Sequence, residues 1–327
     1  MLDLDGVVYV GSRAVAGVAT VLDEAKAAGM SLAFVTNNAA RTPEKVAAQL
    51  NSLGVAAEPA DIVTSAQAAA RELAARQPQG TRVLIVGGEG LRAAVADLGL
   101  VPDSLDDEPE AVAQGFHPRV GWAQLAEAGY AVRAGATWVA SNLDQTVPTA
   151  RGIAPGNGTL VDAVAAAGGR RPDVVAGKPF RPLFDETLRR VASRRPIVVG
   201  DRLDTDIAGA VNCDAHSLLV MTGVTDVAAL CAAPSQMRPD FVGWELSSLL
   251  SAHEVATHDG DGWLLAGWRI STAGSSLRVD ETGADADQGL RAVVSAAWHW
   301  HDTHPDEELD VSAASRALAP GRPGRSS

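Results

Sequence analysis

Apolar runs too short for helices alternate with amphipathic stretches along most of this chain. That alternation restricts it to parallel sheets covered by helices. Met30–Thr36 (MSLAFVT) and Arg82–Val86 (RVLIV) read as buried strands. Further strand candidates are Ala111–Gly115, Thr137–Ala140, Asp173–Ala176, Ile197–Val199, Ser217–Met221 and Asp240–Val242. After the first strand, Thr42-Pro43-Glu44 supplies a hydroxyl N-cap, a proline for the first helical position and an acid for the first turn. Val46, Leu50 and Leu53 carry the apolar face of that helix, and Gly54 ends it. The expected fold class is three-layer α/β.

Length divides this pattern into domains. The 327 residues suffice for two domains and fall short of three full-sized ones. Polar Glu72–Gln79, ending in Gln-Pro-Gln-Gly, and the run Gly168-Gly169-Arg170-Arg171-Pro172 read as two crossings between domains. Residues 80–172 are therefore expected as an inserted module, with 1–79 and 173–257 folding together around it. Residues 258–327 are expected as a C-terminal appendage: a hairpin from Trp263–Ile270 and Ser276–Val279, a helix over Gln288–Trp300, and disorder from Ser312 onward.

Composition removes several function classes. No apolar run approaches the roughly 18–20 residues of a membrane span. The start, MLDLDGVVYV, has acids where a secretory leader is basic. Cys213 and Cys231 are too few for a disulfide framework and suit a reducing cytoplasm. A net charge of −13 offers no broad basic footprint for nucleic acid. Positive charge is nearly all arginine, because Lys26, Lys45 and Lys178 are the only lysines.

Polar residues cluster where strands should meet loops, which is where open α/β sheets bind ligands. In Asp3-Leu4-Asp5-Gly6 alternate residues point the same way, so Asp3 and Asp5 are expected to face one pocket. Two carboxylates this close need a cation between them or a shared proton; a solvated turn is the plain alternative. Thr36-Asn37-Asn38 offers hydroxyl and amide donors for phosphate oxygens, or ordinary turn chemistry. Strand Val198-Val199 runs into Gly200-Asp201-Arg202-Leu203-Asp204-Thr205-Asp206. Asp201 is the natural Mg²⁺ ligand there, while Asp204 and Asp206 suit a helix start, with Asp206 acting behind the direct ligands. Lys178, in Gly-Lys-Pro after the strand DVVAG, suits neutralisation of an attacking carboxylate and an incoming phosphate. A solvated loop lysine is the alternative.

In order and character these four elements resemble the haloacid dehalogenase superfamily. The wording DLDGVVY, TNNA, GKP and GDRLDTDIAGA is similar to its NagD/4-nitrophenylphosphatase branch over about residues 1–250. The resemblance implies a Rossmann-like parallel-sheet core with an inserted α/β cap. It implies Asp3 as nucleophile, Asp5 as acid and base, and Mg²⁺ held by Asp3, the carbonyl of Asp5, and Asp201. Thr36, Asn37, Asn38 and Lys178 would bind the phosphoryl group. The implied reaction is hydrolysis of a small phosphate monoester, glycerol 3-phosphate foremost, through an aspartyl-phosphate. Pyridoxal phosphate, sugar phosphates, nucleotides, or transfer to a second hydroxyl are the alternatives. A homodimer through the cap is a further expectation.

Within the module, Ser141-Asn142-Leu143-Asp144 matches a family loop, and Pro155-Gly156-Asn157-Gly158 resembles a turn into a helix whose amino end suits an anion. His117 and Arg119 are substrate-selecting candidates, with an ordinary surface loop as the alternative. Only Met1 and Leu2 precede Asp3, where the family has several apolar residues, so a shortened start is expected. A phospho-acceptor signalling module would use the same residue types, but its acceptor lies on an interior strand and it carries no such insert. Regulation through residues 258–327 is a third reading.

Overall fold

The computed structural model describes residues 1–103, 109–149, 151–191 and 193–319. They form two compact units, one of Met1 and Ser31–Arg194, the other of Leu2–Met30 and Arg195–Ser327. Both are built on parallel strands, so the fold class is α/β.

In the first unit, strands Phe34–Thr36 and Ile62–Thr64 pair in parallel. The sequence-expected strand from Met30 shortens to Phe34 because Met30 and Ser31 are exposed and have no apolar face to bury. A second parallel sheet has the order Val174–Val175, Thr137–Ala140, Ala111–Gln114, Arg82–Val86, Val101–Asp103. Its last strand in chain order lies just past the expected crossing at 168–172. Helices Trp122–Arg133 and Asn157–Gly168 cover one face, closing a core of Leu84, Val86, Val112, Val132, Val161 and Val164 around the fully buried Trp138. The Trp138 indole N–H donates to Gln114 Oε1 at 3.1 Å, so its one polar atom is satisfied. Helix Pro43–Ser52 starts at Thr42 as expected, and Ser65–Ala74 opens with a capping box between Thr64 and Gln67.

In the second unit, Leu2–Asp3, Ile197–Gly200, His216–Val220 and Phe241–Gly243 are consecutive parallel neighbours. Residues 257–281 form an antiparallel sheet rather than a single hairpin: Thr257–His258, Trp263–Leu265, Trp268–Ala273 and Ser276–Glu281. Helix Ala286–Thr303 packs on it. This segment does not stand apart. Leu265, Trp268, Ile270, Leu290, Val293 and Ala297 share one buried core with Ile207, Leu219, Leu230, Val242 and Trp244. Disorder expected from Ser312 is corrected in part. Ser312–Ala317 is helical because Ala314 and Leu318 reach the same core. The rest of that expectation, residues 320–327, lies outside the described residues.

Candidate active site

Strand Leu2–Asp3 delivers Asp3 at its carboxyl end, and the chain turns at once. Val8 and Tyr9 both donate their N–H to Leu4 O, at 2.9 and 3.1 Å. Strand Ile197–Gly200 delivers Asp201 in the same way. A π-helical turn, Leu203–Ile207, then folds Asp206 back, and the Arg202 N–H donates to Asp206 Oδ2 at 3.2 Å. One carboxylate oxygen each from Asp3, Asp201 and Asp206 lies within 4.8 Å of the others. Asp201 and Asp206 are buried.

Backbone supports this cluster closely. The Val224 N–H donates to Asp201 Oδ2 at 2.7 Å, and the Thr225 hydroxyl to the Asp201 carbonyl at 2.6 Å. Gly6, at φ 86°, and Gly223 pass so near Asp201 that a β-carbon on either would collide with its carboxylate. Three carboxylates gathered in a buried place repel one another unless a cation sits among them. The donor set is hard oxygen, which fits Mg²⁺ or Ca²⁺ and not a soft metal.

Asp5 is arranged differently. It is exposed and receives the Tyr9 hydroxyl at 3.4 Å, a partner that sequence reasoning missed although Tyr9 stands four residues on in the same motif. Asp206, expected behind the ligands, brings an oxygen into the cluster itself. Asp204 turns to the surface, where Arg202 holds it with bonds of 3.0 and 2.7 Å.

The first unit carries the other candidates. Thr36 ends strand Phe34–Thr36, and its Oγ1 accepts the Asn38 N–H at 3.1 Å, which leaves the hydroxyl proton to donate elsewhere. Asn38 also accepts the Ala40 N–H at Oδ1, 2.9 Å, so it builds the turn. Lys178 is buried. Asn37 lies against it, with the Lys178 N–H donating to Asn37 Oδ1 at 2.8 Å and Asn37 Nδ2 donating to the Lys178 carbonyl at 3.1 Å. Asn37 Nδ2 also reaches both Asp144 oxygens, at 3.2 and 3.3 Å.

The turn at Gly156–Gly158 does not face outward with open amides. The Gly156 and Gly158 N–H groups donate to the carbonyls of Gln145 and Asp144, at 2.8 and 2.9 Å, and the helix start thereby closes on the loop that holds Asp144. His117 accepts the Arg119 N–H at Nδ1, 3.2 Å. Partial burial and the Arg119 charge hold its pKa below the ordinary imidazole value.

Thus Asp3, Asp201 and Asp206 gather in one unit, and Thr36, Asn37 and Lys178 follow strand ends in the other. Residues 1–101 match the family described as haloacid dehalogenase-like hydrolase, and residues 175–249 the HAD-hydrolase-like family. The chain is 44% identical to the D-glycerol 3-phosphate phosphatase of Mycobacterium tuberculosis over 312 residues, covering 91% of this chain and 85% of that protein. It is 35% identical to the acid sugar phosphatase of Staphylococcus haemolyticus over 227 residues, covering 69% and 85%. A crystal structure of glycerol phosphate phosphatase from Mycobacterium tuberculosis in complex with calcium is similar with a TM-score of 0.85 at 40% identity, covering 100% of this chain and 97% of that one. For p-nitrophenyl phosphatase from Archaeoglobus fulgidus the TM-score is 0.70 at 29% identity, covering 76% and 97%. The chain therefore belongs to the haloacid dehalogenase-like hydrolases, among the phosphatases of that family.

Proposed function

We propose that this phosphatase is Mg²⁺-dependent and hydrolyses glycerol 3-phosphate through an aspartyl-phosphate. The observation that carries the reading is the buried carboxylate cluster of Asp3, Asp201 and Asp206, a set of hard oxygen donors within 4.8 Å of one another. Asp3 and Asp201, with the Asp5 carbonyl and now Asp206, would hold the cation. Bound Mg²⁺ supplies charge neutralisation for the nucleophile and the phosphoryl oxygens.

A carboxylate oxygen of Asp3 forms a bond to phosphorus as the ester P–O bond breaks, and Asp5 gives its proton to the departing alkoxide. Asp5 then takes a proton from water as the water oxygen attacks phosphorus. The Asp3–phosphorus bond breaks and inorganic phosphate leaves. The Thr36 hydroxyl, the main-chain N–H of Asn37 and the Lys178 ammonium bind the transferring group, and Asn38 shapes the turn that presents them. The exposure of Asp5 and its bond from Tyr9 suit a group that must exchange protons twice.

The substrate rests on the 44% identity to a D-glycerol 3-phosphate phosphatase over 91% of the chain. Likeness to acid sugar phosphatases keeps sugar phosphates as the second reading. Residues of about 80–172 act as the cap in this reading, and a homodimer through it follows from the family resemblance. A cytoplasmic setting is supported by the free cysteines Cys213 and Cys231. No described helix is long and apolar enough to cross a membrane.

Phosphate release from glycerol 3-phosphate, sugar phosphates, pyridoxal phosphate, nucleotides and 4-nitrophenyl phosphate, with and without Mg²⁺, tests the reading. The highest kcat/KM is expected for glycerol 3-phosphate, with no turnover after chelation. Preference for a sugar phosphate overturns the substrate, and full activity in chelator overturns the metal.

A further inference from the structure

The carboxamide of Asn37 looked from the sequence like a phosphoryl ligand. The structure commits it elsewhere. An amide side chain has two N–H groups and one carbonyl oxygen to give. Oδ1 accepts the Lys178 N–H at 2.8 Å, and Nδ2 donates to the Lys178 carbonyl at 3.1 Å and to the Asp144 carboxylate at 3.2 and 3.3 Å. The main-chain carbonyl of Asn37 is also occupied, by the Ser65 hydroxyl at 2.6 Å and by Asn142 Nδ2 at 2.7 Å. The approach is close enough to need Gly177 before the lysine, since a β-carbon there would stand 2.5 Å from Asn37 Oδ1.

Asp144 is itself anchored. Its N–H donates to Asn142 Oδ1 at 3.1 Å, its carbonyl accepts the Gly158 N–H, and Asn157 Nδ2 holds the Asn142 carbonyl at 2.7 Å. A continuous set of bonds therefore runs from the start of helix Asn157–Gly168 through Asp144 and the Asn37 amide to both sides of the Lys178 peptide. The charged acceptor makes the Asp144 link stronger than a neutral one.

We infer that Asn37 is a positioning residue: its carboxamide fixes the backbone of Lys178 and ties that lysine to Asp144, so the loop Ser141–Asp144 sets where the Lys178 ammonium sits. The inference rests on the reading of Lys178 as a phosphoryl-binding group. A lysine stem has four rotatable bonds, so clamping its Cα on both sides is the main way to aim the ammonium before substrate arrives. The consequence is that a loop in the proposed cap region and the lysine respond together: whatever displaces one displaces the other.

The test is a double-variant cycle on the whole chain. Asn37→Asp keeps an acceptor for the Lys178 N–H but sets a second carboxylate against Asp144 and the Lys178 carbonyl. It should lower kcat on both glycerol 3-phosphate and 4-nitrophenyl phosphate about 100-fold, the scale of an ångström-sized misplacement, with KM changed less than about threefold. Asp144→Asn alone should cost less than about tenfold, and Asn37→Asp with Asp144→Asn should recover at least about tenfold, because an amide again faces a carboxylate. Losses that simply multiply, or an Asn37→Asp defect that falls on KM and survives the second change, overturn the inference in favour of direct phosphoryl contact. If the wild-type chain hydrolyses neither ester, the phosphatase reading fails, and the same cycle read by urea unfolding decides the clamp: coupling between the two sites supports it and additivity sinks it.

Discussion

The acid cluster and the Asn37 network are both polar and built at strand ends and the loops that follow them, yet they are made in opposite ways. Asp3, Asp201 and Asp206 bring three like charges together, held by backbone amides and close-passing glycines. Asn37 brings a neutral amide to a lysine backbone and one carboxylate, and each of its side-chain polar groups finds a complementary partner. The first arrangement offers hard oxygen donors to an ion; the second joins donors and acceptors of the chain to each other. Carboxylate oxygens gathered this closely are where a hard divalent ion belongs.

Four measurements break or sharpen that contrast. The largest effect belongs to Asp3→Asn, expected to reduce phosphate release about 10⁴-fold or more. In chelator its melting temperature should match or exceed that of the parent, because one of three closely spaced carboxylates is gone. A marked fall would mean the cluster is not repulsive. Second, Mg²⁺ at a hundred times its dissociation constant should stabilise the parent by about 2.7 kcal/mol in thermal unfolding. Asn37 variants should keep most of that gain, and its loss there would blur the distinction between the two regions.

Third, Gly223→Ala forces a methyl against the Asp201 carboxylate and should cost about 1–3 kcal/mol. It should also shrink the Mg²⁺-induced rise, which separates a damaged cage from general destabilisation. The smallest effect tests a carboxylate that the fold does balance. Burial of Glu186 opposes its charge, but hydrogen bonds from Arg189 and Arg190, with the charges of Arg190 and Arg71, hold its pKa below the ordinary glutamate value. Its stabilising contribution is therefore complete above the unfolded-state pKa and fades as pH falls through the depressed folded value. Glu186→Gln should cost about 1 kcal/mol near neutrality, discounted because its arginine partners are partly exposed, and should flatten the acid limb of a stability–pH profile. An unchanged acid limb would count against it.

The sequence made the strands most legible where both faces are buried. Arg82–Val86 and Thr137–Ala140 have the expected bounds because unbroken apolar runs end abruptly at polar residues. The acid-bearing end of Ile197–Gly200 was legible for the same reason, and Asp3 only from the spacing Asp-Leu-Asp-Gly. What stayed hidden was the destination of short polar side chains. Nothing local to Asn37 announces partners more than a hundred residues away at Asp144 and Lys178, and the inward swing of Asp206 depends on a π-helical turn that propensity does not signal. The packing of the segment after residue 257 stayed hidden differently. Leu290, Val293, Val294 and Ala297 on helix Ala286–Thr303 declare an apolar stripe, but a stripe does not say which surface it covers.

That surface belongs to the half of the molecule that carries Asp201. Trp244 donates its indole N–H to the Ala286 carbonyl at 3.0 Å, and the Arg291 guanidinium, buried, reaches the carbonyls of Val242 and Ala252. A stop codon after His258 would not yield a compact version of the archaeal p-nitrophenyl phosphatase, whose match spans only 76% of this chain. It would strip the lining from Leu230 and Trp244, wet the floor beneath Ile207 beside Asp206, and leave an insoluble stump. In this chain residues 257–319 are less an annex than a foundation wall.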